Sequence, residues 1–485
     1  MTTYSTGALP KSALLAFVLS SVLPVSFANA VVSDDQMIQE HGQYSNTYLS
    51  NWSTLPTGKD YPRKKVTDYA FTTRMGERQT YQNQDSVHIS GKYWKVRWNK
   101  GFEKYGTTLF HIKNVRKVVI EDMAIIQLDS DWRASHAFLI ENCGEVVIRN
   151  VYLAGAVHTS HIRVEGSESV FIDNAEIAGY DYGGGQGVRA GQGIYINNGE
   201  VAKTRLPSRN LKFSVIQNSY IHGYLKGPGD ADWGNQDGIN ITSASDGILF
   251  NNYIENWKSG DAAIDVSHRR NDNAYKNHVF RVERNIVRNS TVAKTSGGAG
   301  GSSNHVFGSN NLFINTEFYD YHDGYTNYWV HNTYVASPIR TSSAFFKTQG
   351  IGNGGRTVYR NSLAYAYYNA VSAIHRGSDS PRVIDSDYNA FVMPSPGQWF
   401  NGIRTFAAWK NQGNDIHSIL VPIRTAFVNP QNEDFRLAQT SPAIGVGQTA
   451  YLNQGPISMR VTKDFKGTPR DSRPDAGAFE FVTAR

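Results

Sequence analysis

Val146-Val147-Ile148-Arg149-Asn150 and, 24 residues on, Val170-Phe171-Ile172-Asp173-Asn174 decide the fold. Each is a short β-branched run closed by an Asx residue. An earlier copy is Val118-Val119-Ile120-Glu121-Asp122, and later copies are Val215-Ile216-Gln217-Asn218, Ile248-Leu249-Phe250-Asn251-Asn252, Trp329-Val330-His331-Asn332 and Val358-Tyr359-Arg360-Asn361. The Asx spacing is 28 residues from Asp122 to Asn150, and 34 from Asn218 to Asn252. Between these runs lies a second set of strands: Ile162-Arg163-Val164, Ile194-Tyr195-Ile196, Ile239-Asn240-Ile241 and Ile264-Asp265-Val266. Their apolar-polar-apolar alternation suits a half-buried strand. A period of this length made of strands, without helical spacing, is the signature of a parallel β-helix. The repeated Asn then sits at a bend, tolerates left-handed geometry and stacks into a hydrogen-bonded ladder with its copies above and below. The competing reading is a β-sandwich with loose similarity between strands.

Working outward, the chain has 485 residues, 40% hydrophobic and 19% charged, with 44 Gly and 59 aromatic residues (23 Phe, 27 Tyr, 9 Trp), which excludes a disordered polymer. The net charge of +6 is a mild excess that fits an acidic polymer as partner without demanding one. The single cysteine, Cys143, excludes an internal disulfide framework and any multi-cysteine metal site, and reads as a small buried hydrophobe. Lys11, the apolar run Ala13 to Leu19 and the small-residue site Ala28-Asn29-Ala30 read as a secretory signal. The expected organisation is a signal peptide over 1–30, an N-terminal cap over 31–86, a β-helix over 87–395 and a closing segment over 396–485. The mature chain is expected outside the cytoplasm, extracellular or periplasmic, as a monomer that neither inserts into a membrane nor binds nucleic acid.

The C-terminal stretch carries a resemblance. Asp434-Phe435-Arg436-Leu437, Ser441-Pro442-Ala443-Ile444-Gly445, Asp464-Phe465-Lys466-Gly467-Thr468-Pro469-Arg470 and Pro474-Asp475-Ala476-Gly477-Ala478-Phe479-Glu480 resemble the closing segment of secreted right-handed β-helix proteins, polysaccharide lyases prominent among them. Asp475 and Glu480 in it read as structural. The middle of the chain, Asn235-Gln236-Asp237-Gly238-Ile239-Asn240-Ile241 and Gly260-Asp261-Ala262-Ala263-Ile264-Asp265-Val266-Ser267-His268-Arg269-Arg270, resembles the active-site turns of β-helix lyases of the alginate-lyase and chondroitinase-B kind. The resemblance implies an all-β, right-handed parallel β-helix. It also implies calcium held by acidic residues, for which Asp237, Asp261 and Asp265 match in type. A base follows the acidic strand, where His268, Arg269 and Arg270 stand in place of the family's lysine. The polygalacturonase pattern fails, because its second paired Asp is Ala262 here and no Gly-His-Gly follows.

The residues support this chemistry on their own terms. In a β-helix the polar middle residues of successive strands point outward and stack about 4.8 Å apart, so Arg163, Tyr195, Asn240 and Asp265 are expected in one exposed column. That geometry suits a linear polysaccharide. Cleavage of an acidic chain by β-elimination needs a neutralised carboxylate, a base and an acid. His268 is the expected base and Arg270 the expected neutraliser, with Arg269, Tyr195 and His305 as further acid–base candidates. Arg163, Asn240 and Lys258 form the expected substrate-binding set. The expected function is an exported lyase acting on a uronate-containing polysaccharide, and a biofilm-matrix exopolysaccharide would fit. The alternatives are a glycoside hydrolase using two of Asp237, Asp261 and Asp265, or a β-helix that binds polysaccharide without cleaving it.

Overall fold

The computed structural model describes residues 32–33 and 54–482, apart from 98–107, 129–134, 156, 158, 180–190, 198–210, 212, 224–235, 243–245, 259–261, 269–278, 298–304, 322–325, 337–343, 350–355, 367–371, 377–382, 394–402, 404 and 455–456. The expected signal peptide lies outside them. Within them the chain is a right-handed parallel β-helix. Each turn contributes one strand to each of three stacks. Sheet 1 has eleven parallel strands, running from Gln79–Gln82 to Ser372–Arg376. Sheet 2 runs from Ser86–Ser90 through Phe213–Gln217 to Val383–Asp387, and sheet 3 from Thr72–Met75 through Tyr220–His222 to Ile419–Leu420. In the early turns sheets 2 and 3 share long strands, such as Glu145–Gly155 and Ser169–Ala178, bent at a left-handed Asn. The strands Thr72–Met75 and Gln79–Gln82, which join the coil, fall inside the segment 31–86 expected to be a cap.

Residue alternation sets the interior. Ile162, Ile194, Ile239 and Ile264 stand in register on successive turns of sheet 1 and are all buried. Each such side chain contributes about 1.5–3 kcal/mol on burial. Val164, Ile196, Ile241 and Val266 form the neighbouring inward column. From the next turn this column turns polar, as Thr295, Asp320 and Thr348. The buried Asp320 carboxylate accepts from the Thr295 hydroxyl at 2.7 Å, and from Asn327 and Thr357, so this buried charge finds its partners within the coil. Cys143 is fully buried in the core, as expected.

The repeated Asn residues divide two tasks at the corner between sheets 2 and 3. The first residue of each corner takes positive φ: Asn174, Asn218, Asn251, Arg284, Asn310, His331 and Asn361, at 52–56°. The residue after it turns inward. Asn252, Asn285, Asn311 and Asn332 pass a side-chain hydrogen bond from turn to turn at 3.0–3.1 Å, and Ser362 and Asn389 continue the stack through backbone donors. A buried amide that meets a copy of itself one turn away has its hydrogen-bonding capacity filled at every level.

Two straps run along this same corner on the outside. Residues 55–64 hand carbonyls to the corner side chains: Pro62 to Asn174 at 3.1 Å, Pro56 to Asn251 at 2.8 Å and Leu55 to Arg284 at 2.6 Å. The C-terminal segment continues the line, with the Phe465 carbonyl on Arg284, Lys463 on Asn310, Asp475 on His331 and Gln448 on Asn361. Residues 55–64 thus lie along the side of the coil as a strap. The Asp475 and Glu480 carboxylates take backbone N–H groups and, for Glu480, the buried Arg470 at 2.9 Å, so both are structural as expected.

Candidate functional site

The register of sheet 1 places Arg163 beside Tyr195, Tyr195 beside Asn240, and Asn240 beside Asp265. The expected column therefore exists, and it continues. Asp265 pairs with Lys294, Lys294 with Tyr319, and Tyr319 with Lys347. With strands about 4.8 Å apart, the seven positions span roughly 29 Å. The column opposes the inward Ile and Val columns on the same strands, so it faces away from the core.

Its exposure differs from the expectation. Arg163, Tyr195, Lys294, Tyr319 and Lys347 are partly exposed, whereas Asn240 and Asp265 are 0% and 1% exposed. A buried carboxylate requires partners, and Asp265 has the Lys294 ammonium at 3.5 Å. Asn240 is held on both sides: its amide donates to Asp237 and its carbonyl accepts from Thr242 at 2.8 Å. The other Asp237 oxygen accepts the Ala262 N–H at 3.0 Å. Asp237 thus ties the entry of one strand to the next turn.

Toward the two ends, cation and phenol recur together. The Arg163 guanidinium lies 4.7 Å from the Tyr195 ring centroid while its Nε donates to Glu165 at 2.6 Å. The Tyr195 oxygen accepts from the Asn197 amide at 2.9 Å. At the other end the Lys347 ammonium lies 4.6 Å from the Tyr319 ring, and the Tyr319 hydroxyl donates to Glu317. Such contacts are worth about 0.5–1 kcal/mol where exposed, so their main effect is to hold each head group in place.

The remaining expected residues fall elsewhere. His305 is not on this face: it opens a strand of sheet 2, is 4% exposed, and its Nδ1 donates to the Thr326 carbonyl at 2.8 Å. Burial holds its pKa below the ordinary histidine range. Lys258 is exposed after the sheet 3 strand Tyr253–Glu255, and no described contact ties it to the column. The His268 backbone ends the strand Ile264–His268 opposite Gly297, so it belongs to the strand and not to the bend after it. Its side chain, together with Asp261, Arg269 and Arg270, lies outside the described residues.

The calcium expectation does not fit what surrounds the two described acids. Both Asp237 oxygens accept hydrogen bonds, and an ammonium already stands at Asp265. Among the described residues no three His, Cys, Asp or Glu side chains come close enough to hold a metal. The Lys294 ammonium stands 3.5 Å from Asp265, and the third expected ligand, Asp261, lies outside the described residues.

Lys294, Tyr319 and Lys347 were not legible as site residues. Their strands read Ala293-Lys294-Thr295, Phe318-Tyr319-Asp320 and Phe346-Lys347-Thr348, where the inward neighbour is polar and the apolar-polar-apolar signature is lost. The available signal was their place one, two and three turns after Asp265. No helix among the described residues is long and apolar enough to cross a membrane. Neither a protein-family model nor a curated protein sequence matches the chain.

Proposed function

We propose that the sheet 1 face binds a linear acidic polysaccharide and cleaves it by β-elimination. The observation that carries this reading is the single register line Arg163, Tyr195, Asn240, Asp265, Lys294, Tyr319 and Lys347, in which cations and phenols alternate about a buried carboxylate. A polymer laid along the coil axis meets them one after another.

In this scheme Lys294 or Arg163 neutralises the uronate carboxylate and makes the C5 proton acidic. A base takes that proton, the electron pair forms the C4–C5 double bond, the C4–O bond breaks, and the leaving oxygen receives a proton. His268, at the end of the strand carrying Asp265, is the proposed base. The Tyr195 phenol, one turn from Arg163 and three from Lys294, is the proposed proton donor. Asp265 positions Lys294 by their ion pair. A hydrolase reading would need two carboxylates available to flank the scissile bond, and Asp237 has both oxygens engaged within the protein.

Product chemistry tests the proposal. Purified protein is incubated with a panel of acidic polysaccharides, and products are followed by ultraviolet absorbance and reducing-end assay. A lyase gives unsaturated uronate absorbance together with new reducing ends. New reducing ends alone would establish a hydrolase, and binding without either product a non-catalytic carbohydrate-binding protein.

A further inference from the structure

A second concavity lies on the outer side of sheet 2, far along the coil. Tyr328, Val358 and Asp385 stand in register on three successive turns, and Arg356 and Arg360 flank Val358 on its own strand. The C-terminal segment forms the opposite wall, including Thr449, Ala450 and Ser472, and the space between measures about 590 Å³. That volume is within the range of small-ligand sites. The wall is fixed at the corner, where the Asn361 amide donates to the Gln448 carbonyl and its oxygen accepts the Gln448 N–H at 3.0 Å.

The lining has a definite chemistry. Arg360 donates to one Asp385 oxygen at 2.9 Å and Arg356 to the other. Two guanidiniums facing one carboxylate leave the trio with one net positive charge. Arg356 carries much of its surface in the open, with 52% of its side chain exposed against 16% for Asp385. Between the arginines the floor is apolar, since Tyr328, Val358 and Ala450 belong to one buried cluster. Thr449 and Ser472 add hydroxyl-bearing residues to the lining. A guanidinium favours a planar carboxylate, an apolar floor favours the C–H face of a ring, and hydroxyl-bearing residues in the wall favour a polyol.

We propose that this cavity is a binding site for a hexuronate-sized sugar acid, its carboxylate on Arg356 and its ring over Val358 and Tyr328. The site is separate from the sheet 1 column and does not rest on cleavage there.

Isothermal titration of the full chain with D-glucuronate, D-glucose and inorganic sulfate tests it. Glucuronate is expected to bind at one equivalent, tighter than either control. Arg356→Gln should weaken glucuronate about tenfold, the scale of one lost charge-assisted hydrogen bond, with circular dichroism unchanged. Thr449→Trp, which fills the cavity from its wall, should abolish binding without touching the arginines. Lys294→Ala, on the sheet 1 face, should leave it intact. The site is overturned if glucuronate fails to bind, if glucose or sulfate binds as tightly, if both cavity variants bind like the parent chain, or if Lys294→Ala removes the binding.

Discussion

The sheet 1 face and the corner between sheets 2 and 3 are built from the same repeat and have opposite fates. The corner is covered: residues 55–64 and the C-terminal segment lie along it. Its side chains meet strap carbonyls at Asn174 and at the five consecutive levels Asn251, Arg284, Asn310, His331 and Asn361, while at Asn218 the strap's Arg63 guanidinium donates to the corner's backbone carbonyl. The column of sheet 1 keeps five of its seven members partly exposed. Corner side chains repeat one amide because a ladder needs the same donor and acceptor on every turn. Column side chains change from Arg to Tyr to Asn to Asp to Lys, and uniformity would have served stacking better. Identical residues in register hold the coil together, and unlike residues in register leave a partly exposed face whose charge and polarity change from turn to turn.

Variants on the two regions should separate accordingly. The largest effect is expected on the open face. His268→Ala should lower turnover by roughly 10²–10⁴-fold, the range for loss of a general base, with an unchanged melting temperature. Steady-state kinetics on the purified variant decides this. If turnover stays near the parent value, the base lies elsewhere, and Tyr195→Phe is the next comparison.

Arg284→Ala makes the reciprocal test at the corner. This residue interrupts the Asn series and donates to a carbonyl of each strap, Leu55 and Phe465, at 2.6 Å. Burial lowers its pKa to about 10, so it remains charged at neutral pH. Its removal strands two carbonyls at about 1–3 kcal/mol each, and a loss of about 3 kcal/mol in urea unfolding is expected. Limited proteolysis should then cut the strap near residues 55–64 first. Unchanged stability would mean that the straps are held without it.

A third contrast is in pH. His161 sits one strand position from Ile162 at the edge of the column, is 3% exposed, and burial lowers its pKa from 6.5 to about 4. A histidine with a depressed folded pKa binds protons more readily when unfolded. Its contribution to stability is therefore present above pH 6.5 and is lost as pH falls toward 4, by on the order of 3 kcal/mol. Denaturation midpoints measured from pH 7 to pH 4 should fall more steeply for the parent than for His161→Gln. Parallel curves would contradict this.

The smallest expected effect concerns metal. If Lys294 supplies the positive charge beside Asp265, excess chelator should leave cleavage unchanged, whereas Lys294→Ala should reduce it. Activity lost in chelator and restored by calcium would return the neutralising role to a metal.

Much of this was legible in the sequence, for a local reason. Strand alternation and the Asx-closed repeat depend only on neighbours along the chain, so they yielded the coil, the Asn ladder and the register of Arg163, Tyr195, Asn240 and Asp265. Asp475 and Glu480 were readable as structural because they belong to a compact closing motif. Exposure was not readable, since whether Asn240 and Asp265 meet solvent depends on what else covers the face. The pairing of Asp265 with Lys294 was hidden because a polar inward column, Thr295 bonded to Asp320, erased the strand signature around Lys294. The sheet that His305 joins was not readable, because loop lengths do not reveal which of three sheets a strand joins. A period of two within strands and a repeat between them were enough to define a parallel β-helix and the order of its outward residues. Only the tertiary structure decided which faces the straps cover, which charges meet and where a cavity remains, because those depend on contacts between segments as far apart as Leu55, Arg284 and Phe465.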